Sequence, residues 1–591
     1  MSQAKTNYTA LLTLITVFFF WGFFAAGNSV FIPFCKNYFH LDQFQSQLID
    51  FAFYFAYYVG ALILYSVTVR TGQDPVTKWG YRKSIVYGLL FSAIGAMVMI
   101  ISLYADQFAG MLLGLFVVAL GFSLQQTSAN PFLILLGEEA TGSNRVSLGG
   151  GVNSLGGTIG PLIVALALFG TVTYNDEDVH RLSMGKVIVL YSCVGILFIL
   201  IAALFNFSKQ LPDGIINETE PDGANSRPKT NKSLRALFIM TGLLIICYTP
   251  VMMSYKSAEA IRVEVLENMV AKWEISPLLV KADIVTLKVE LKQLKGVLDH
   301  KRMIWLSLSL LVVVGTLISS LFSSRKDRQS WGAMQYPQLV LGMLAIFLYV
   351  GVEVAVGSNL GELLAQPEFG KLGSSEIAAY VALYWGSLMM GRWASAVHVF
   401  NLSSKWKNLL VFVMPFVAFG LILGLSSWAG HKVSHFYGYG VSVLVLILGF
   451  YLGKNKPALT LAIFGTLGFL CIVIGLIPSG WLDFAYHFLG MKNNGILSVY
   501  ALLSSGLFCS IMWPCIFSLS LAGLGKYQSQ GSSFLIMMIL GGAIIPPLQG
   551  KLSDITGIQF SFVVGAFCFA YLTIFALWVK KILRSQQVYM E

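Results

Sequence analysis

Apolar runs of about 20 residues recur from Tyr8 to Val579, each long enough to cross a hydrocarbon core roughly 30 Å thick at 1.5 Å per residue. Backbone in lipid must pair its own polar groups, so serial runs of this length mean helices. A membrane β-barrel would show shorter, alternating segments. Charged residues make up 11% of the 591-residue chain, against roughly 25% in soluble domains, too few to coat a water-facing surface. The expected class is an all-α membrane protein.

About sixteen spans are expected. Six come first, at roughly 8–34, 46–70, 84–105, 109–136, 147–171 and 186–207. Two more, near 234–255 and 303–323, flank a charged stretch. Eight follow, at 337–362, 375–400, 408–429, 435–453, 457–478, 498–522, 531–549 and 559–580. The first run is too long for a signal-peptide core and reads as a span.

Lys and Arg number 39 against 28 Asp and Glu, and they concentrate in alternate short loops such as Arg70/Lys78/Arg82/Lys83 and Arg325/Lys326/Arg328. That is positive-inside bias rather than a nucleic-acid surface, and it puts both termini in the cytoplasm, with the bacterial inner membrane as the expected location. No nucleic-acid partner is expected; the lipid bilayer is. The seven cysteines are scattered without CxxC spacing, and no GxSxG, HExxH, Walker or Rossmann pattern stands in a fitting context, so neither an enzyme nor a metal or cofactor site is expected.

An internal repeat is visible. Leu155–Pro161 reads LGGTIGP and Leu540–Pro546 reads LGGAIIP; Pro131 precedes Gly156 by 25 positions, and Pro514 precedes Gly541 by 27. Matching order and spacing point to a duplicated six-helix unit, the plan on which many transporters place substrate at the interface of the repeats. Twelve spans fill two such units, leaving four over: the pair near 234–323 and two of the three segments between 408 and 478. The division is a first bundle at 1–207, a linker with accessory helices at 208–335, and a second bundle with extra segments at 336–591. Within 256–302, Ile284, Leu287, Leu291, Leu294 and Leu298 form a short a/d seam, and Ile261, Val265, Met269 and Trp273 line another helical face. This reads as a non-cytoplasmic hairpin packing on itself, dispensable for transport, with a partner-protein module as the alternative.

Charge inside a span is costly and faces a cavity or a partner. Glu353 sits mid-span with about ten apolar residues on each side; Asp50 opens an aromatic run and also suits a helix cap; Arg392 sits near enough to a span end to snorkel. A desolvated carboxyl favours its protonated form, which makes Glu353 the first candidate for ion coupling and Asp50 the second. Amides cluster with small residues: Asn28, Gln126, Asn130, Asn153 and Asn359, with Trp21, Tyr54 and Trp385 available to stack on the apolar face of a sugar ring. The competing reading is helix–helix glue.

Several segments resemble the fucose permease branch of the major facilitator superfamily, which includes bacterial glucose/galactose transporters. They are FFFWGFFAAGNSVFIPF (Phe18–Phe34), QLIDFAFYFAYYVGAL (Gln47–Leu62), LQQTSANPFLILLG (Leu124–Gly137), GGGVNSLGGTIGP (Gly149–Pro161), YVGVEVAVGSNL (Tyr349–Leu360), YWGSLMMGR (Tyr384–Arg392) and GSSFLIMMILGGAIIPP (Gly531–Pro547). The resemblance implies a major facilitator fold of two six-helix bundles, to which the span count adds about four helices that match nothing in the family core, moving a hexose or deoxyhexose by alternating access with a proton or sodium ion. The acids typical of proton-coupled members fall on Ser29 and Gln126 here, which cannot titrate, and the family's helix-five Gln falls on Gly150, while Asn153 is kept. Asp50 and Glu353 fall where the fucose permease pattern has amides. The rivals are an uncoupled facilitator, a sensor on a transporter fold and a membrane-embedded transferase.

Overall fold

The computed structural model describes residues 6–39, 43–138, 141–171, 182–214, 231–275, 281–372, 374–453, 456–482, 487 and 495–588; side chains at 27–34, 36–37, 43–48, 50, 231, 271–275, 281–284, 374–375, 479 and 482 are outside the description. The first half is six long helices: α1 (Tyr8–Tyr38), α2 (Gln43–Thr71), α3 (Tyr81–Tyr104), α4 (Phe108–Leu135), α5 (Gly142–Phe169) and α6 (Met184–Phe207). An accessory group follows: α7 (Asn231–Ser254), α8 (Ala258–Ile275) and α9 (Lys281–Lys326). Then come α10 (Pro337–Leu364), α11 (Ser374–Ala396), α12 (Ser404–Trp428), α13 (Gly440–Gly453) and α14 (Pro457–Leu476). The chain ends in α15 (Ile496–Cys509), α16 (Met512–Leu521), α17 (Gln528–Met537), α18 (Gly541–Thr556) and α19 (Val563–Ser585). Local chemistry sets several ends. The Asn7 side chain accepts from Ala10 N to cap α1, and Gly170, with φ 78°, takes the left-handed conformation that stops α5.

Fifteen stretches of described helix are long and apolar enough to cross a bilayer. α11 is not among them, but its packing makes it a member of the second bundle. In the first half α1 lies on α5, α2 on α4, and α3 between α4 and α6. In the second half α10 lies on α18, α11 on α15, and α14 between α15 and α19. The same pairing pattern identifies α14 as the counterpart of α3, which leaves α12 and α13 as the additional pair among the three segments left open by sequence. Together with α7 and α9 they are the four apolar helices outside the two bundles, and the charged α8 lies outside them as well.

The repeated glycines explain the pairing. A Cβ on Gly156 would run into the carbonyl oxygen of Phe19 on α1, and a Cβ on Gly541 into that of Phe347 on α10. Glycine is required at both places because two helix backbones touch there. Duplication of sequence thus reappears as duplication of contact. The halves differ in continuity: α4 and α5 run unbroken through Pro131 and Pro161, whereas their counterparts split at Ser510–Ile511 and at the 3₁₀ turn Met538–Leu540.

α9 is 46 residues long and unbroken. α8 packs back along its first part. Leu287, Leu291 and Leu294 are partly buried and Leu298 is buried, as the a/d seam requires, while Ile284, and Trp273 of the other face, lie outside the described side chains. The face carrying Ile261, Val265 and Met269 is exposed; Leu266 is the buried α8 residue instead. The hairpin does not pack only on itself. At its base Asp299 is buried and meets Lys551 of α18 at 3.0 Å.

Candidate functional site

The two halves meet along two seams, α5 against α11 and α2 against α17 and α18. Among the described residues, the hydrogen bonds joining the bundles gather toward one end, where α1 begins and α11 finishes. There Tyr8 Oη donates to Val399 O at 3.2 Å and accepts from Asn401 N at 3.1 Å. Ser395 Oγ is 3.0 Å from both Asn144 Oδ1 and Ser147 Oγ. On the other seam Ser532 Oγ donates to Thr127 O at 2.8 Å, and the rings of Tyr65 and Phe534 stand edge to face at 4.6 Å.

Deeper along α11 lies Arg392, 8% exposed. It does not snorkel to water. Its Nη1 donates to Ser154 Oγ at 2.6 Å and Gly150 O at 3.2 Å on α5, and its Nε to Ser510 O at 3.1 Å, in the break between α15 and α16. Nη2 donates to Tyr349 Oη at 3.3 Å and stands 3.6 Å from Glu353 Oε1, both on α10. One guanidinium therefore bridges the halves. The Ser154 bond is tight and charge-assisted; the Glu353 pair is longer than a hydrogen bond and is held mainly by charge. Tyr384 Oη donates to Glu353 O at 2.8 Å and fixes that turn of α10. Room for the arginine comes from α5: a Cβ on Gly150 would stand 3.2 Å from Arg392 Cδ, and one on Gly151 would stand 2.6 Å from Trp393 Cδ1.

The other residues singled out from sequence surround this bridge or lie apart from it. Gln126, half-buried, donates to Tyr57 Oη at 3.1 Å; Asn153, half-buried, donates to Phe18 O at 3.1 Å. Each spends one N–H there, so a carbonyl oxygen and a second N–H remain for a ligand. Asn130 and Asn359 are buried and donate to carbonyls of their own helices, Gln126 O at 3.0 Å and Ala355 O at 2.8 Å. Trp21 is buried and gives its indole N–H to Gln125 Oε1 at 2.8 Å, which ties α1 to α4. Tyr54 faces α18 across the seam, its ring 3.4 Å from where a Cβ on Gly542 would stand. Trp385 is half-open beside Gly357 and Tyr384. The side chains of Asn28 and Asp50 lie outside the described residues. Ser154 belongs with Asn153 to the polar cluster of the fifth span, whereas Tyr349 and Ser510 were not singled out from sequence. Their signal is indirect: paired glycines at 150 and 151 leave space for a large side chain arriving from another helix.

No family model matches the chain. It is 26% identical over 577 residues to a glucose/galactose transporter of Brucella abortus, covering 98% of this chain and 95% of that protein. It is 24% identical over 576 residues to the L-fucose-proton symporter of Escherichia coli, covering 97% and 94%. Among solved structures, a variant of the Escherichia coli fucose:proton symporter aligns with a TM-score of 0.57 at 18% identity, over 97% of this chain and 99% of that one. A structure of the major facilitator transporter FucP in the outward conformation gives 0.56 at 20% identity, over 96% and 98%. The chain is an integral membrane protein with the major facilitator fold, and over nearly its whole length it is similar to bacterial glucose/galactose transporters and to the L-fucose-proton symporter.

Proposed function

We propose that the chain carries a small sugar, a hexose or deoxyhexose, across the bacterial inner membrane by alternating access, coupled to a proton, with both termini in the cytoplasm. The relatives support the substrate class and the type of cycle: they are sugar transporters rather than enzymes, and one is a fucose-proton symporter. In this orientation the bonded end is the cytoplasmic one, the arrangement an outward-facing state requires. Gln126 and Asn153 are the proposed sugar-binding amides, flanked by Tyr54 and Trp385.

The observation that carries the coupling mechanism is the Arg392 bridge. With the cytoplasmic end sealed, Arg392 has Ser154, Gly150, Ser510 and Tyr349 as partners, so Glu353 can bind a proton without stranding the guanidinium. When the halves part at that end, Arg392 loses the two α5 partners. A poorly solvated cation in the membrane needs neutralising, and Glu353 is the carboxyl already beside it. The carboxyl then gives its proton to the cytoplasm. A sodium ion would have to share that carboxylate with a guanidinium, which is why the proton is favoured over sodium.

Purified protein in liposomes, with imposed proton or sodium gradients, tests the proposal. The Glu353→Gln variant keeps shape and hydrogen bonding but cannot titrate. It should exchange labelled sugar across the membrane while losing proton-driven accumulation. Accumulation at the wild-type level would move coupling elsewhere, with Asp50 next; a wild type that never accumulates sugar under either gradient would make the protein a facilitator.

A further inference from the structure

Glycine contacts and Arg392 account for the bundles; they do not account for the buried charges where the accessory helices meet α18. Asp299 of α9 is 3% exposed and Arg302 is 8% exposed. Lys551 Nζ of α18 lies 3.0 Å from Asp299 Oδ1 and 2.6 Å from Asp554 Oδ2. Arg302 stands 3.6 Å from Asp299, donates through Nε to Ser254 Oγ at 2.8 Å and covers the Tyr255 ring at 3.8 Å. Beside this network Val251, Leu306 and Leu548 form a small apolar cluster of their own. A solvated hairpin base has no need of an aspartate withdrawn from water, and such a group is stable only when paired.

The other edge of the accessory pair is fastened to the first half. Tyr58 Oη of α2 bonds Thr241 Oγ1 at 2.6 Å and Leu237 O at 3.3 Å, Tyr65 Oη bonds Ser233 Oγ, and Phe51 packs on Tyr248 at 5.8 Å, all on α7. Tyr248 Oη reaches across to Ala543 O of α18 at 3.4 Å. α7 and α9 pack along each other, and Lys232 meets Asp327 at 2.8 Å where the pair closes. The pair is thus attached to α2 of one half along its length, and to α18 of the other through Asp299, with the Tyr248–Ala543 bond and the Val251–Leu306–Leu548 cluster beside it.

We propose that α7 and α9 form a strap across the α2–α18 seam, and that Asp299 is the positioning residue that fastens its second-half end and favours the conformation seen here. This rests on the reading of the protein as an alternating-access transporter. α2 and α18 must turn relative to one another in such a cycle, so bonds made by the strap in one state are weakened in the other. A strap is a series link. Cutting either attachment releases it, and cutting both releases little more.

The test uses the full-length protein in lipid nanodiscs. Spin labels at the exposed residues Thr71 and Lys526, with the exposed Cys193 replaced by Ser, report the separation of the two halves at the bonded end. The wild type should be mostly closed there. Asp299→Asn should raise the ratio of open to closed molecules by about tenfold, the scale of one charge-assisted buried bond. Tyr58→Phe with Tyr65→Phe should raise it in the same direction, and the combined variant should fall well short of the product of the two effects. An unchanged ratio in well-folded Asp299→Asn overturns the strap, as do effects that multiply in full, which would mark two unrelated packing contacts. If Asp299→Asn melts too low to measure, the tyrosine pair decides, an unchanged ratio again being fatal. Absence of sugar uptake by the wild type would sink the proposed function, yet the distance ratio needs no sugar and still decides the strap.

Discussion

The two seams between the bundles are closed by different means. Along α5 and α11 the halves touch directly through side chains, and the contact includes a buried charge, Arg392, with its carboxylate partner in reach. Along α2 and α18 the direct contact is aromatic and small, and a second layer of helices crosses outside it. Buried charge joins the two halves directly on the first seam; on the second it lies in the outer layer, where Asp299 meets Lys551. The repeat makes the two seams equivalent in topology, and their side chains make them different in chemistry.

The comparison breaks most visibly at Arg392. Arg392→Ala should abolish uptake and lower stability by about 3–5 kcal/mol, because Glu353 is left as an unpaired buried acid. Adding Glu353→Gln should recover much of the thermal stability without recovering transport. Failure of that rescue in a melting experiment would show that the arginine matters for packing rather than for charge. Next in size is Asn153→Ala. It removes one bond on the proposed sugar-binding face, costs on the order of 1 kcal/mol, and should weaken sugar binding several-fold while the fold persists. Unchanged affinity by calorimetry would remove Asn153 from the site.

The smallest effect belongs to the outer part of the accessory hairpin. Its ion pairs, Arg262 with Glu290 and Lys295 with Glu267 at 2.9 Å, are solvent-exposed, and such pairs contribute about 0–1 kcal/mol. Replacing 258–295 by a short linker should leave the uptake rate within about twofold of wild type. A larger loss would extend the strap to the hairpin tip. If the strap holds, the expectation that the whole of 256–302 is dispensable narrows to the tip, because the base carries Asp299.

What was legible in sequence was whatever a single segment carries. Apolar runs gave the helices, matched Gly-Gly pairs marked the repeat, and Glu353 stood out because about ten apolar residues on each side leave it no route to water. Arg392 was ambiguous because it lies four residues from the end of α11, within snorkelling reach. Its depth is decided by Gly150 and Gly151, on a helix some 240 positions away. Asp299 sat in a stretch that reads as a solvated charge run, and only the approach of Lys551 takes it out of water. The extra pair in the second half could not be chosen among three equally apolar segments, since pairing with α15 and α19 is a property of packing, not of hydropathy.

At 1.5 Å per residue, 46 residues of α9 extend about 69 Å, more than twice the hydrocarbon thickness. Roughly half of the helix stands clear of the bilayer as a mast rooted on α18. A stiff rod of that kind is a lever: a small sideways force on its far end becomes a turning moment at its foot. An antibody fragment raised against the exposed Ile261–Val265–Met269 face, part-way along that rod, would load it without entering the proposed sugar path.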